Sequence, residues 1–167
     1  MIKPSLQEME VVGYFPGAIG QITACHAFYY YKNWGFDVTF ETQVSKELSE
    51  FMLSFKQGRD GLWVLKIGET FIGSIAIDGS KTQDQGARLR WFIVCPEYHG
   101  LDIGKLLIEK AVRFCKEANH KKVFLWTFEG LNAARALYER HGFKLAEEHK
   151  VNQWGQIINE QLFELEF

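Results

Sequence analysis

The chain has 167 residues, of which 47% are apolar and 15% aromatic, enough to bury one sizeable core and too few for two ordinary domains. We therefore expect a single domain over residues 1–167. Its 19 lysines and arginines nearly balance 21 aspartates and glutamates, and the formal net charge is -2. Because no broad basic field results, neither nucleic acid nor membrane is expected as a partner.

The cysteines and the N-terminal sequence bear on the compartment. Cys25, Cys95 and Cys115 form no C-x-x-C pair and are flanked by apolar or helix-forming residues, which predicts free thiols under reducing conditions. The N-terminus lacks a basic start followed by an apolar stretch, and no segment reaches about 18 uninterrupted apolar residues. A cytoplasmic protein is predicted. The five histidines are scattered without ligand spacing, so no metal site is expected.

Alternation and helical periodicity predict the elements of the first half of the chain. We expect a strand near residues 9–14, helices at 19–34 and 41–55, and strands at 62–67, 70–77 and 87–94. The second helix is indicated by apolar residues at i, i+3 and i+4 spacing, namely Val44, Leu48, Phe51, Met52 and Phe55. Short turns between the three later strands predict an antiparallel meander.

The second half predicts one parallel pair of strands. We expect a helix from near Asp102, a strand at 122–127, a short helix at 132–141 closed by Gly142, and final strands at 143–148 and 161–167 around a turn at 152–155. Strand, helix, strand and helix in succession favour a parallel unit. The expected fold is therefore α/β, with a mixed sheet.

Residues 94–105, VCPEYHGLDIGK, join a strand end to an abrupt helix start through a glycine-bearing turn. Free N–H groups at a helix N-terminus and the positive end of the helix dipole favour an anion such as a pyrophosphate. Neither G-x-G-x-x-G nor the spacing of a P-loop is present, which excludes a P-loop nucleoside triphosphatase. Taken alone, Gly100 and Gly104 are also consistent with nothing more than a tight connection.

This segment resembles the coenzyme-binding motif of the GNAT family of N-acetyltransferases, x-P-x-x-R-G-x-G-x-G/A before a long helix. A second signature of that family, N-x-x-A-x-x-L-Y-E-x-x-G-F, is matched by Ala134, Leu137, Tyr138, Glu139, Gly142 and Phe143. The resemblance covers about residues 89–148. It implies a single-domain GNAT-like fold, with a mostly antiparallel sheet, a splayed parallel centre and flanking helices, and acetyl-CoA as acyl donor.

The resemblance implies a coenzyme site built from the strand end, the turn and the following helix. Its residues are Phe92, Ile93, Val94, Gly100, Leu101, Asp102, Ile103, Gly104, Lys105 and Asn132. His99 and Asp102 depart from the family pattern, and Leu131 occupies the usual asparagine position. We expect the Asp102 side chain either to cap the helix or to weaken coenzyme binding by repulsion, and Asn132 to contact the coenzyme or cap its own helix.

The same resemblance implies transfer of an acetyl group to an amine, with Tyr138 as the general acid for the leaving thiolate. The alternative for Tyr138 is a core aromatic residue. No base is identified, because Trp126 stands where some members place a glutamate. Glu41 and Glu129 are loose candidates, and a water chain would serve equally well.

Strand alternation places Arg88, Arg90, Phe92 and Val94 on one face, next to Trp126 on the acceptor side. Forked guanidinium donors suit a carboxylate or phosphate, so an acidic small-molecule or peptide amine is the predicted acceptor; solvated or protein-paired arginines are the alternative.

Residues 26–41 resemble the acetyltransferase half of MarR-GNAT fusion proteins. Their aromatic helix is consistent either with packing on the sheet or with a role in shaping the acceptor pocket. Two other classes of function stay open: a non-catalytic sensor of acyl-CoA or another ligand, and a partner-binding module that uses the aromatic helix at residues 28–34, with a monomer or homodimer in solution.

Overall fold

A single seven-stranded sheet with helices on both faces organises the chain over residues 5–81 and 85–167, the part that the computed structural model describes. The strands are Glu10–Val12 (β1), Gly61–Ile67 (β2), Thr70–Asp78 (β3), Ala87–Val94 (β4), Lys122–Phe128 (β5), Lys144–Gln153 (β6) and Gln156–Glu166 (β7). The helices are Ala18–Trp34 (α1), Val38–Leu53 (α2), Ile103–Glu117 (α3) and Asn132–Arg140 (α4), with 3-10 turns at Leu6–Glu8 and Pro96–Tyr98. Over the described ranges, none of the helices combines the length and apolar character needed to cross a membrane.

All of the predicted elements are confirmed, and their boundaries differ in three informative places. The first strand has only three residues. Helix α2 begins three residues earlier than predicted because the Asp37 side chain accepts a hydrogen bond from the Thr39 N–H at 3.0 Å and caps it. Strands β6 and β7 extend to a two-residue turn at Trp154 and Gly155, where both residues have positive φ and Gln153 pairs with Gln156.

The strand order is β1-β2-β3-β4-β5-β7-β6, and only β4 and β5 are parallel neighbours. Their pairing is limited to Ala87 with Val123 and Arg88 with Phe124. Beyond these pairs β4 continues against β3 and β5 continues against β7. The two strands therefore separate toward their C-terminal ends, which confirms the splayed parallel centre.

Each face of the sheet has its own apolar core. On one face, α3 buries Leu107, Ala111 and Cys115 against the central strands. On the other, α1 and α2 cover an aromatic-rich core that includes Phe36 and Phe128. Trp34 and Tyr30 pack against this second core, whereas Phe28 and Tyr31 on the same helix are exposed.

A bulge in β4 corrects one prediction about its faces. Trp91 has a φ of 46°, and the register with β3 shifts at this point. Arg90 and Trp91 both face α2, whereas Phe92 packs on the α3 side against Tyr138. The expectation that Arg88, Arg90, Phe92 and Val94 share a face is therefore wrong, because the bulge inverts the alternation between Arg90 and Phe92.

Candidate active site

A cavity of about 730 Å³ lies where β4 and β5 separate, and we call it the central cavity. Most of the residues predicted to act in a site line it: Arg88, Arg90, Phe92, Ile93, Val94, Gly100, Asp102, Ile103, Gly104, Lys105, Trp126, Asn132 and Tyr138. Leu101 is the exception, since it packs against the α3 core instead. The fold thus brings two separated sequence signatures to one cavity.

The turn before α3 has the backbone conformation expected of an anion site. Gly100 has a φ of 80°, which favours glycine, and a Cβ there would meet nothing within 4 Å. Helix α3 then starts at Ile103, and Gly104 in its first turn lies against Phe92 and Leu137. Backbone N–H groups of this first turn lack intrahelical acceptors, and Ile103, Gly104 and Lys105, which carry them, line the central cavity.

For both Asp102 and Asn132, the alternative that the side chain caps its helix is wrong. Asp102 is the N-cap of α3 with a left-handed φ of 58°, and its side chain makes no capping hydrogen bond. In that conformation its carboxylate does not reach the next N–H groups of the helix. Asn132 is already the first residue of α4, so Leu131 occupies the cap position.

His99, which stands where the family pattern has arginine or glutamine, bonds back to the strand. Its Nε2 lies 2.8 Å from the backbone carbonyl oxygen of Val94. The carbonyl can only accept, so Nε2 carries the proton. This contact ties the turn to the open edge of β4.

Tyr138 occupies the inner wall of the central cavity. It is only 6% exposed, and its ring contacts Phe92, Phe143 and Phe163. Burial raises the pKa of Tyr138 above its ordinary value, so the hydroxyl keeps its proton at neutral pH. A buried, protonated hydroxyl at a cavity wall can donate a proton to a developing anion.

Tyr30 of α1 also lines the central cavity, and the sequence did not single it out for chemistry. Burial raises the pKa of Tyr30, and the charge that an ionised Tyr138 would carry raises it further. The helical spacing of Tyr30 with His26, four residues earlier, is the signal that could have grouped them on one face.

His26 forms part of the same wall as a neutral imidazole. Its Nδ1 lies 2.8 Å from the Ile22 carbonyl oxygen, and the ring stacks on Tyr30 with centroids 6.2 Å apart. Burial lowers the pKa of His26 to about 4. Since Nδ1 donates to the carbonyl, Nε2 is left as the acceptor.

These geometries, with a strand edge opened beside a helix-start turn and a buried tyrosine, agree with a comparison of sequence families. The model of the Acetyltransferase (GNAT) family matches residues 25–143, more than half of the chain. The chain belongs to the GNAT family. An uncharacterized N-acetyltransferase of Methanocaldococcus jannaschii is 27% identical over 112 residues, which cover 65% of this chain. The chain spans 49% of the length of that relative.

Solved structures share this GNAT fold over nearly the whole chain. The crystal structure of an acetyltransferase from Streptococcus agalactiae is 21% identical and has a TM-score of 0.75, covering 97% of this chain and 100% of its own. A GNAT family acetyltransferase from Elizabethkingia anophelis, solved with acetyl-CoA bound, is 14% identical with a TM-score of 0.64, covering 96% and 99%. At these identities the likeness establishes the fold.

On the side of the central cavity that faces α2, the two predicted arginines differ. Arg90 forms an ion pair with Glu47 of α2 and lies 3.7 Å from Asp78. Arg88 makes no ion pair with any residue in the described ranges. Burial, and then Arg90, lower the pKa of Arg88 to about 10, so it stays a desolvated cation at neutral pH.

The two glutamates named from the sequence as candidate bases do not line the central cavity. Glu47 and Glu160 line it, whereas Glu41 and Glu129 do not. Glu160 lies 3.2 Å from Nε2 of His149. Glu47 falls three residues after Val44, on the buried side of α2, a spacing that could have found it.

No group of three or more His, Cys, Asp or Glu side chains within residues 5–81 and 85–167 is arranged to hold a metal ion.

Proposed function

We propose that this protein is an acyl-CoA-dependent N-acetyltransferase, which transfers an acetyl group from acetyl-CoA to an amine acceptor. The observation that carries the proposal is the convergence of the open β4 edge, the turn before α3 and Tyr138 on one cavity. A GNAT family acetyltransferase with the same fold has been solved with acetyl-CoA bound, which supports the choice of donor.

In this proposal the turn before α3 binds one part of the coenzyme and the open edge of β4 binds another. The pyrophosphate would lie at the N-terminus of α3, near Gly100, Ile103 and Gly104, with the Lys105 ammonium close by. The pantetheine arm would follow the backbone of β4 from Phe92 to Val94, on the side that β5 has left. Leu101 supports this turn from the core, and Asn132 borders the arm from α4.

The chain's own residues supply the proton needed at the end of transfer. A neutral amine attacks the thioester carbonyl, a backbone N–H such as that of Val94 stabilises the oxyanion, and the carbon–sulfur bond then breaks. Tyr138 donates its proton to the departing thiolate. The proton lost by the amine passes to Glu47, Glu160 or a water chain through the cavity mouth.

We further propose that the acceptor is acidic, and that Arg88 alone recognises its anionic group. Arg90 is neutralised by Glu47 and Asp78, and Glu160 has His149 beside it. Arg88 is therefore the cation left to bind a carboxylate or phosphate inside a desolvated wall. Aromatic side chains that also line the cavity, among them Trp34, Trp126, Phe128 and Trp154, would pack on the acceptor's apolar part.

Calorimetric titration with acetyl-CoA tests the coenzyme site first. We expect micromolar binding by the native chain and at least tenfold weaker binding by Gly104→Glu, because a carboxylate would face the pyrophosphate. Gly104→Gln is the matched control, since it adds the same bulk without the charge. Equal losses in both variants would contradict an anion site, and release of free CoA on adding an acidic amine then tests turnover.

The alternative is a non-catalytic acyl-CoA or ligand sensor. The His99–Val94 hydrogen bond favours it, because the ring occupies a carbonyl that the pantetheine amide would otherwise use. Coenzyme binding without turnover for any amine in a broad screen would select this alternative.

The remaining expectations are part of the same proposal. They are one domain over residues 1–167, a cytoplasmic location, an acceptor that is a small molecule or peptide and not nucleic acid or membrane, and a monomer or homodimer. The likeness of residues 26–41 to the acetyltransferase half of MarR-GNAT fusion proteins also stays a proposal. Sedimentation equilibrium would measure the mass in solution, and exposed Phe28 and Tyr31 are the side chains to change if a dimer forms.

A further inference from the structure

Two thiols meet where helix α1 passes the end of β4. Cys25 lies in α1, Cys95 is the first residue after β4, and their Sγ atoms are 3.1 Å apart. The Cys95 backbone is fixed by an N–H to carbonyl hydrogen bond to Ile72 of 2.8 Å. Both cysteines are partly exposed, whereas Cys115 is fully buried in the α3 core. The two cysteines are 70 residues apart in the chain, and no sequence pattern predicted that they would meet.

The surroundings make the two thiols unequal. Either thiol can donate to the other; when the Cys95 S–H donates to the Phe71 carbonyl oxygen, 3.6 Å away, Cys25 donates to Cys95. That donation lowers the pKa of Cys95 and, together with burial, raises the pKa of Cys25; the nearby Glu97 carboxylate raises both. A thiolate on Cys95 would accept the hydrogen bond from Cys25 across the 3.1 Å that separates the sulfur atoms, so we take Cys95 as the sulfur that attacks first.

We propose that Cys25 and Cys95 are an oxidisable dithiol that closes to an intramolecular disulfide in the presence of a low-molecular-weight disulfide. The sulfur atoms need to approach by only about 1 Å to reach a bond length of roughly 2.05 Å. Protein disulfides in reducing compartments are commonly transient and redox-sensing, which fits a pair of partly exposed thiols.

The disulfide forms through two thiol–disulfide exchange steps, in which atoms and electrons balance. Cys95 thiolate attacks one sulfur of the disulfide RSSR, forming a mixed disulfide and releasing RS⁻. Cys25 loses its proton and attacks Cys95 Sγ, forming the Cys25–Cys95 bond and releasing the second RS⁻. The protein loses two protons and two electrons, and RSSR takes them up to become two RSH.

The disulfide would tie a wall of the central cavity to the strand that borders it. His26 and Val94, the chain neighbours of the two cysteines, both line the cavity. Closing a loop of this length also restricts the unfolded chain, so oxidation should stabilise the fold.

Thiol counting and intact mass test the proposal without any activity. The native chain is treated with oxidised glutathione, denatured, and alkylated with N-ethylmaleimide. We expect the reduced chain to take up three maleimides, one for each cysteine, and the oxidised chain one, on Cys115. Cys25→Ser and Cys95→Ser should instead give a glutathione adduct or no change, and Cys115→Ser should still form the disulfide.

Thermal unfolding gives a second readout. We expect the melting temperature to rise by roughly 5 °C or more on oxidation and to return with dithiothreitol, and neither single variant to show the rise. Three thiols still titratable after oxidation, a bridge that includes Cys115, or only intermolecular bridges would overturn the proposal. A chain that forms this bridge but fails to bind acetyl-CoA would contradict the proposed function and still support the dithiol proposal.

Discussion

Arg90 and Glu47 form an ion pair that joins the bulged centre of β4 to helix α2. The Arg90 guanidinium also lies over the Trp91 ring, 4.2 Å from its centroid, and near Asp78. Arg90 is thus held by three neighbours in the cavity wall. Arg88, two residues earlier on the same face, has no such ion pair among the described residues, and this contrast is the basis for proposing Arg88, and not Arg90, as the residue that binds the acceptor.

Replacing Arg90 with Met should lower the free energy of unfolding by about 1–2 kcal/mol, because it leaves two carboxylates without their cation, one of them well shielded from water. Urea unfolding measures the change. Arg88→Met is the matched control and should shift stability by less than about 0.5 kcal/mol, since relief of the desolvation of this buried charge offsets the lost attraction to Glu47, Asp78 and Glu160. Equal destabilisation by both substitutions would contradict the division of roles.

Arg88→Met should instead raise KM for acidic amine acceptors by about 10- to 100-fold, the loss expected for a charge-assisted hydrogen bond in a desolvated site. Neutral amines should show little change. Initial rates at saturating acetyl-CoA measure both, and Arg88→Lys should recover part of the affinity because it restores the charge without the fork. A uniform loss over acidic and neutral acceptors would mean that Arg88 does not select the anion.

Tyr138→Phe should lower kcat by about 10²- to 10⁴-fold, because it deletes the proton donor and keeps the ring. The dissociation constant of acetyl-CoA should not change, since the hydroxyl acts only on the leaving thiolate. Single-turnover CoA release at constant pH measures the chemical step. Tyr30→Phe is the control from the facing helix; a larger loss in that variant would transfer the role of acid to Tyr30.

The order of strands and helices could be predicted from sequence because alternation and helical spacing are local signals, as in α3, where Leu107, Ala111 and Cys115 recur on one face. The coenzyme turn was predicted for a similar reason, since residues 94–105 are continuous in the chain. Of the candidate coenzyme residues, only Leu101 turned away from the cavity, because its side chain completes the α3 core.

The acceptor side could not be predicted in the same way, because it depends on contacts between distant segments. A bulge at Trp91 is a property of the β3–β4 register, and it reversed the assumed face of Phe92. The partner of Arg90 comes from α2, 43 residues earlier. The pattern of residues along one strand cannot reveal a bulge in its register with the next strand, nor an ion-pair partner on a distant helix.

The pH dependence of stability gives a test of the buried imidazole of His26. In the unfolded chain its pKa is the ordinary 6.5, and in the folded protein it is lowered to about 4. Between about pH 6.5 and pH 4, His26 therefore binds a proton in the unfolded state and stays neutral in the folded state. The contribution is fully present above pH 6.5 and is lost as the pH falls toward 4, by about 3 kcal/mol in total.

His26→Gln removes this titration, and its amide N–H₂ can still donate to the Ile22 carbonyl oxygen. Urea unfolding of both proteins between about pH 7.5 and 4 measures the difference between their free energies of unfolding. This range of about three to four units spans the shift in the His26 pKa. We expect the native chain to lose about 3 kcal/mol more than the variant over this range, because every carboxylate titrates alike in the two and cancels. Parallel curves would show that the ring is protonated in the folded state, and that Nε2 is not the free acceptor assigned to the cavity wall.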